Sequence, residues 1–200
     1  MDLPLFKKYE KLFRSHGYPL FMVGGTSRDL LLGQEPSDFD FVTSATPEQE
    51  RSFLPDADYS FAKFGSIKFK AEGKEIDVTT FREEGEYKDF RHPSYIRFIS
   101  SPEEDSKRRD FTINALYLDG EGNVLDFHGG LKDLREKKIR FIGNPDVRIQ
   151  EDPLRILRAE RFAKRLGFTL EEETDKAIKK LRPLLAKLNP LKVKQEMEKR

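Results

Sequence analysis

Residues 20–42, LFMVGGTSRDLLLGQEPSDFDFV, contain two strand patterns separated by a glycine pair and a short helix pattern. The run from Tyr18 to Val23 predicts a short buried strand that ends at Gly24-Gly25. Thr26 to Leu32 predicts a short helix, and Asp38 to Val42 alternates polar and apolar residues with the period of a strand. The stretch therefore predicts an α/β arrangement in the first part of the chain.

The glycine pair is a candidate anion site. Gly24 and Gly25 let backbone N–H groups come close to an anion, and the N-terminus of the following helix adds a favourable dipole. Arg28 adds a fixed positive charge that suits phosphate. The sequence has no G-x-x-x-x-G-K-[ST] motif, so this is not a Walker loop. A glycine pair before a helix can also be a purely structural turn, and that alternative stays open here.

Two aspartates spaced two residues apart form a candidate metal site. Residues i and i+2 of a strand point to the same face, so the carboxylates of Asp38 and Asp40 lie side by side. Such carboxylates repel each other unless a cation shares them, and hard oxygen ligands suit Mg²⁺, which keeps positions for water and substrate phosphates. Asp77 would supply a third carboxylate to this site if the strand that contains it is adjacent to the strand of Asp38 and Asp40. The alternative is a pair of surface acids at a strand end.

A third cluster lies in residues 108–115, RRDFTINA. Arg109, Asp110 and Asn114 stand beside apolar residues of a predicted strand. Two arginines, an aspartate and an asparagine can hold a triphosphate and a ribose. The same residues could equally form an ion-paired loop that leads into a core strand.

A fourth cluster lies in residues 151–162, EDPLRILRAERF. Arg155, Arg158 and Arg161 recur every three residues of a predicted helix, so they lie close together on one face, with Asp152 one turn before Arg155. An aspartate that accepts and a guanidinium that donates can match the pairing edge of a nucleobase. The alternative is an ordinary ion pair on a charged helix.

Helix and strand patterns continue along the rest of the chain. Strands are predicted at 66–71, 75–81, 112–118 and 124–127, and helices at the N-terminus, after Thr46, at 153–166, at 171–185 and from 190. Residues 83–109 are polar and mixed, which predicts mobile loop. The order predicts an α+β fold, with a strand-rich part up to about residue 140 followed by a helical part.

The composition excludes several classes of protein. The 200 residues include no Cys, which excludes a disulfide scaffold, a thiolate metal site and a Cys nucleophile, and three His argue against a His-rich metal site. No apolar run approaches the roughly 20 residues of a membrane span. The first 13 residues are amphipathic rather than a secretory signal. We therefore expect a cytoplasmic protein with no membrane partner.

The net charge of +1 hides an asymmetry along the chain. Residues 1–130 hold 17 Lys and Arg against 24 Asp and Glu, whereas residues 131–200 hold 20 against 12. An acidic first part and a basic second part suit a carboxylate site beside a surface that meets a polyanion. Lysine-rich helices that are simply solvated would give the same asymmetry.

The chain resembles the class II tRNA nucleotidyltransferases, the bacterial CCA-adding enzymes, which have bacterial poly(A) polymerases as close relatives. The resemblance rests on segments that follow one another from about Gly24 to Phe168: GGTSRDLLLG, PSDFDFVTSATP, IDVTTFR, EEGEYKDFRHP, EEDSKRRDFTINALYLD, DFHGGLKDL and IRFIGNPDVRIQEDPLRILRAERFAKRLGF. It implies a polymerase-β-like nucleotidyltransferase head with a mixed or antiparallel sheet over residues 1–140. It implies an all-helical, nucleobase-selecting neck over residues 141–200.

The resemblance also implies an activity and assigns residues to it. The activity is template-independent addition of CMP and AMP from CTP and ATP to the tRNA 3′ end, in CCA addition or repair, by nucleotidyl transfer with two Mg²⁺ ions as the cofactor. Asp38 and Asp40 are the implied catalytic metal ligands, and Asp77 is the implied third ligand or base. The implied nucleotide ligands are Gly24, Gly25, Arg28, Arg109, Asp110, Asn114, Asp152, Arg155, Arg158 and Arg161. Asp152 and Arg155 would select the base, while Asp110 and Asn114 would lie near the ribose.

Two features depart from the family, and related functions stay open. The chain ends at Arg200, whereas family members continue into helical body and tail regions, so a head–neck fragment is expected. Glu160 stands where the family has an apolar residue, and it either pairs with a neighbouring arginine or belongs to a local variant.

The alternative functions are a CC-adding enzyme, an A-adding enzyme, a poly(A) polymerase, or a fragment that binds nucleotide or RNA without turnover. Residues 83–93 match a flexible loop that the resemblance associates with A addition.

Overall fold

A computed structural model describes residues 3–199, and the chain divides into two compact units. Unit 1 comprises the described residues up to Glu83 together with Ile96–Ser106 and Asn114–Phe127. Unit 2 comprises Glu84–Tyr95, Lys107–Ile113 and the described residues from His128 onward. No helix among residues 3–199 is both long and apolar enough to cross a membrane.

Unit 1 is built on a mixed six-stranded sheet. Its strands are β1 (Leu20–Met22), β2 (Phe39–Thr43), β3 (Ser66–Ala71), β4 (Lys74–Thr80), β7 (Leu116–Leu118) and β8 (Val124–Asp126), in the order β3-β4-β2-β1-β7-β8. Strands β2 and β4 are parallel, and the other neighbours are antiparallel. The helices of this unit are α1 (Pro4–Ser15), α2 (Gly24–Leu31), α3 (Pro47–Glu50) and α4 (Pro102–Ser106). The short strands β5 (Arg82–Glu84) and β6 (Ile96–Phe98) pair with each other.

Apolar side chains pack on both faces of the sheet, because alternate strand residues point to opposite sides. Met22, Phe41 and Ile76 belong to the larger buried cluster, which includes residues of α1. Val23 and Val42 belong to a second cluster on the other face. Asp40 shares its side of β2 with Val42, so its carboxylate lies on the face opposite the larger cluster.

Unit 2 is mostly helical. Its elements are α5 (Gly130–Glu136), β9 (Lys138–Ile139), α6 (Pro145–Glu151), α7 (Leu154–Leu166), β10 (Thr169–Leu170), α8 (Glu172–Leu181), a 3-10 segment (Arg182–Lys187) and α9 (Pro190–Glu198). The ring of Phe111 packs against those of Phe141 and Phe162, with centroids 4.9 and 5.8 Å away, and anchors the residues before Asn114 to this core. Strand β10 pairs in parallel with β9, so one two-residue strand interrupts the helices predicted after residue 140.

The predicted α+β class and mixed sheet are confirmed, and so are most predicted elements. One local prediction was incomplete and one was wrong. Residues 83–109 were predicted to carry loop, and residues 85–95 hold no helix or named strand, but the segment also contains α4, β6 and part of β5. These elements are three to five residues long and leave little periodic pattern to detect. Thr112–Asn114, predicted as strand, is a 3-10 turn before β7. The division at residue 140 stays a prediction.

Candidate active site

Asp38, Asp40 and Asp77 line one cleft of unit 1. Asp38 lies immediately before β2 and Asp40 is its second residue, and both are exposed. Asp40 is the register partner of Asp77 on the parallel strand β4. Neighbouring strands lie about 4.8 Å apart, so these two side chains stand next to each other. The predicted adjacency of the Asp77 strand is therefore present.

Asp77 is already engaged by side chains of β3. Its Oδ1 accepts from Ser66 Oγ at 2.7 Å, and its Oδ2 accepts from Lys68 Nζ at 2.5 Å. The hydrogen bond to Asp77 and the charges of Asp40 and Glu75 raise the pKa of Lys68, so its ammonium stays charged. Asp77 thus has a built-in counter-ion next to Asp40.

The carboxylates open into a cleft of about 430 Å³. Its lining residues come from β2, β3, β4 and the segments that precede β2 and β3: Asp38, Phe39, Asp40, Asp58, Lys68, Phe69, Lys70, Glu75, Ile76 and Asp77. Both signs of charge are present, which suits a negatively charged ligand that brings its own cation.

The start of α2 is tied to the aspartate strand. Thr26 Oγ1 accepts from the Asp40 N–H at 2.8 Å and donates to the Asp38 carbonyl at 3.3 Å. Gly24 has φ +64°, and a Cβ built there would lie 3.7 Å from Asp40 Oδ2. The glycine therefore brings the helix N-terminus close to the carboxylate at a backbone conformation that other residues adopt at a cost.

Arg28 is buried under the first turn of α2. Its Nη1 donates to Asn114 Oδ1 at 2.8 Å, and its Nε donates to Asp29 Oδ1 at 3.0 Å. Its Nη2 lies 3.2 Å from the position that a Cβ on Gly25 would occupy. The guanidinium thus fixes the Asn114 amide and the helix start.

The donor set fits a divalent cation held by Asp38 and Asp40. Carboxylate oxygens are the ligands that Mg²⁺ and similar hard cations prefer, with water and phosphate oxygens completing the shell. Among the described residues, no group of three or more His, Cys, Asp or Glu side chains is arranged to hold a metal ion. The predicted three-carboxylate site is therefore not preformed, and Asp77 pairs with Lys68.

Unit 2 holds the second predicted pair. Asp152 caps the C-terminus of α6, where its Oδ1 accepts from the Leu154 N–H at 3.1 Å and its Oδ2 lies 4.0 Å from Arg91. Arg155 Nη1 donates to the Arg148 carbonyl and to Glu151 Oε2, each at 2.7 Å. Burial raises the pKa of Asp152, while the charge of Arg155 opposes the shift. The pair is a rigid, largely desolvated acceptor and donor rather than an exposed ion pair.

The other predicted arginines of unit 2 differ in their surroundings. Arg158 donates through Nε and Nη2 to Asp110 Oδ2, and the charge of Asp110 raises the pKa of Arg158. Arg161 Nη2 lies 3.2 Å from the buried carboxylate of Glu196 on α9. Arg109 is half-buried, and its carbonyl accepts from Arg148.

The predicted site residues fall into two sets, one in each unit. Unit 1 holds Gly24, Gly25, Arg28, Asp38, Asp40, Asp77 and Asn114, and unit 2 holds Arg109, Asp110, Asp152, Arg155, Arg158 and Arg161. Glu160 pairs with Arg182, one of the two alternatives considered for it.

Sequence reasoning missed several residues that shape these sets. Lys68 is the register partner of Asp77 across the turn between β3 and β4, so antiparallel pairing of the strands predicted at 66–71 and 75–81 would have indicated it. Arg148 binds Glu151 and the carbonyls of Arg108 and Arg109, and nothing in the local pattern indicates a contact about 40 residues away.

Comparison with known proteins gives consistent matches. A family described as the Poly A polymerase head domain matches residues 20–140. The CCA-adding enzyme of Bacillus licheniformis is 43% identical over 197 residues, which cover 98% of this chain and 49% of that protein. The crystal structure of Bacillus stearothermophilus CCA-adding enzyme in complex with CTP has a TM-score of 0.86 at 38% identity, covering 98% of this chain and 48% of that one.

A further structure is a tRNA nucleotidyltransferase complexed with a primer tRNA and an incoming ATP analog. It has a TM-score of 0.76 at 33% identity, and the match covers 94% of this chain and 54% of that one. The chain spans about half the length of the relatives it matches.

Proposed function

The chain belongs to the Poly A polymerase head domain family, and from this premise we propose that it is the nucleotidyltransferase part of a CCA-adding enzyme. The proposed reaction adds CMP and AMP from CTP and ATP to the 3′ end of tRNA without a nucleic-acid template. The observation that carries the proposal is the placement of Asp38 and Asp40 on one sheet face, beside the glycine that begins α2. Relatives named CCA-adding enzyme support the choice of substrates. We propose that the chain acts on these substrates in the cytoplasm.

In the proposed reaction, the 3′ hydroxyl of the RNA attacks the α-phosphate of the nucleotide. A new O–P bond forms while the hydroxyl releases its proton to solvent, the bond between the α-phosphorus and the oxygen that bridges to the β-phosphate breaks, and pyrophosphate leaves. Asp38 and Asp40 would hold the divalent cation, which we propose is Mg²⁺. Such an ion, when bound, lowers the pKa of the hydroxyl and stabilises the charge on the phosphates. The side chains themselves contribute position and electrostatics, as in other phosphoryl transfers.

The nucleotide ligands of unit 1 are proposed to act together. The backbone N–H groups at Gly24 and Gly25 would face the phosphates from the start of α2. The Arg28 guanidinium would keep the Asn114 amide oriented for the ribose, since it already donates to Asn114 Oδ1. Asp77 is proposed as a weaker third ligand because Lys68 occupies one of its oxygens.

Two nucleotide ligands of unit 2, Asp152 and Arg155, are proposed to read the base. Asp152 would accept from the exocyclic amine of cytosine or adenine, and Arg155 would donate to ring acceptors. Arg109 would join the ligands of the phosphates, Asp110 would lie near the ribose, and Arg158 and Arg161 would be further nucleotide ligands on α7. The fixed positions of Arg155 on Glu151 and of Arg158 on Asp110 support this role, because a rigid donor discriminates better than a mobile one.

The experiment that tests the metal assignment compares three substitutions. Asp38→Asn and Asp40→Asn should each lower incorporation of labelled CMP into a tRNA lacking its 3′ CCA by at least about 10³-fold, because each removes a ligand charge. Asp56→Asn, an exposed aspartate outside the cleft lining, should incorporate at the parent rate. Circular dichroism should show unchanged folding for all three. Normal turnover by either cleft variant would refute the assignment.

A further inference from the structure

Three exposed phenylalanines form a surface beside the carboxylate cleft of unit 1. Phe61 is 47% exposed, Phe64 is 42% exposed and Phe98 is 37% exposed. Exposed aromatic rings forgo the favourable burial that such side chains normally gain, and a group of them in one place marks a site of interaction. We call Phe61, Phe64 and Phe98 the aromatic surface.

The aromatic surface is held in place by ordered backbone contacts. The Phe64 N–H donates to the Phe61 carbonyl at 2.9 Å within the 3-10 turn Ala62–Phe64. Arg82 Nη1 donates to the Phe64 carbonyl at 2.6 Å. The Phe98 ring lies against Gly65, where an added Cβ would be 2.8 Å from the ring. The rings are therefore presented from a fixed framework.

Cations accompany the rings. Lys63 Nζ lies 4.9 Å from the centroid of Phe64, and Lys68 Nζ lies 5.8 Å from that of Phe61. Arg97 on β6, next to Phe98 in the chain, keeps most of its side chain exposed while it pairs with Glu83. Aromatic rings interleaved with Lys and Arg are the combination that binds single-stranded nucleic acid, since bases stack on the rings and phosphates pair with the cations.

The aromatic surface is continuous with the cleft. Lys68, which lies near the Phe61 ring, donates to Asp77, and Asp77 is the register partner of Asp40. Lys68 Nζ lies 2.5 Å from Asp77 Oδ2 and 5.8 Å from the centroid of Phe61, so the aromatic surface begins at the edge of the cleft.

We propose that the aromatic surface binds the single-stranded 3′ end of the RNA, with bases stacked on Phe61 and Phe64 and phosphates paired with Lys63 and Lys68. The inference rests on the proposed function, because it places the acceptor strand beside the reacting end. Stacking tolerates any base, so the same surface holds the strand while its terminal sequence changes during addition. Because Lys63 and Lys68 are positively charged, they favour binding of RNA, a polyanion, over binding of an apolar protein segment.

The test measures binding of a tRNA minihelix that carries 2-aminopurine in its single-stranded 3′ end. The double variant Phe61→Leu/Phe64→Leu removes two stacking faces and keeps apolar side chains. It should weaken binding about tenfold or more and abolish the quenching of 2-aminopurine. Lys63→Gln should weaken binding and lower its salt dependence. The matched controls are Leu191→Ala, an exposed apolar residue on α9, and Lys11→Gln, an exposed lysine on α1, and both should bind as the parent does.

Steady-state kinetics gives the second measurement. The Phe61→Leu/Phe64→Leu variant should raise KM for RNA while KM for CTP and kcat at saturating RNA stay near the parent values. Parent-like RNA binding and quenching in this variant would overturn the inference. Loss of self-association in place of loss of RNA binding would assign the surface to protein contacts and overturn it as well. Failure of the proposed function can be distinguished from failure of this inference. If the proposed function fails, the parent protein adds no nucleotide to the RNA. The comparison of RNA binding between the parent and the variants still decides the inference.

Discussion

At the scale of single residues, Glu50 at the end of α3 carries a buried carboxyl group. Neither carboxyl oxygen has a hydrogen-bond partner among the described residues, and burial raises the pKa of Glu50 to about 9. The folded state therefore holds this proton between about pH 4.5 and 9 while the unfolded chain releases it, so this group's contribution to stability falls as pH rises through that range.

Glu50→Gln should remove this pH dependence. We expect it to raise the free energy of unfolding by about 2–4 kcal/mol at pH 8 and to change it little at pH 4. Glu48→Gln, an exposed acid on the same helix, should leave the pH profile of the parent unchanged. Urea denaturation at the two pH values measures the difference. A parent-like profile for Glu50→Gln would show that Glu50 is ionised in the folded protein.

Asp152 gives a second prediction at this scale. Because burial raises its pKa above the ordinary 3.8, Asp152 takes up a proton at a higher pH than an exposed aspartate, and the neutral carboxyl is then a weaker acceptor that carries a donor O–H. Discrimination of CTP and ATP against UTP and GTP should therefore weaken on acidification, at a higher pH than the titration of an exposed aspartate would give. Asp152→Asn should discriminate poorly at every pH. Competition assays with all four nucleotides measure this, and a pH-independent preference in the parent would contradict the proposed role.

The sequence predicted the residues of the candidate site better than their contacts. The spacing of Asp38 and Asp40 was enough to place both carboxylates on one face, because strand geometry is local. The contacts of Arg28 with Asn114 and of Arg148 with Arg109 join residues far apart in the chain, so no periodic pattern could reveal them. Arg28 was predicted to face phosphate from its charge beside the glycine pair and from the resemblance, whereas its burial depends on packing that only the fold specifies.

At the scale of elements, the long periodic segments were predicted well. The helices α1 and α7 and the strand β3 match their patterns because each buries one face over several residues. The helix predicted after Thr46 was also confirmed, and it begins with a capping box formed by Thr46 and Gln49. The short strands β5 and β6 were missed because neither contains a buried residue, so no apolar run marks them.

The turn that leads into β3 supports a prediction about Gly65. Gly65 has φ +85°, and an added Cβ would lie 2.8 Å from the Phe98 ring, whereas Gly73 has φ +74° and nothing within 4 Å. Both substitutions to Ala strain the backbone, but Gly65→Ala must also displace the ring. We expect Gly65→Ala to be less stable than Gly73→Ala by about 1 kcal/mol. Thermal denaturation measures this, and equal losses would contradict the contact.

At the scale of the whole molecule, the charge asymmetry of the sequence matches the two sets of site residues. The strand-rich unit 1 carries the carboxylates proposed for the cation, and the helical unit 2 carries the arginines proposed for the base. The chain spans about half the length of its relatives, so the proposal concerns what this half supplies: a cation site, an anion-binding helix start and a rigid set of base donors and acceptors.

The most direct test is the length and sequence of the product made by this chain. The protein is incubated with Mg²⁺, CTP, ATP and a tRNA that lacks its 3′ CCA, and the extended RNA is resolved at single-nucleotide length and sequenced. The proposed function predicts addition of C, C and A followed by termination. An unextended tRNA, or a long homopolymeric tail in place of CCA, would contradict it.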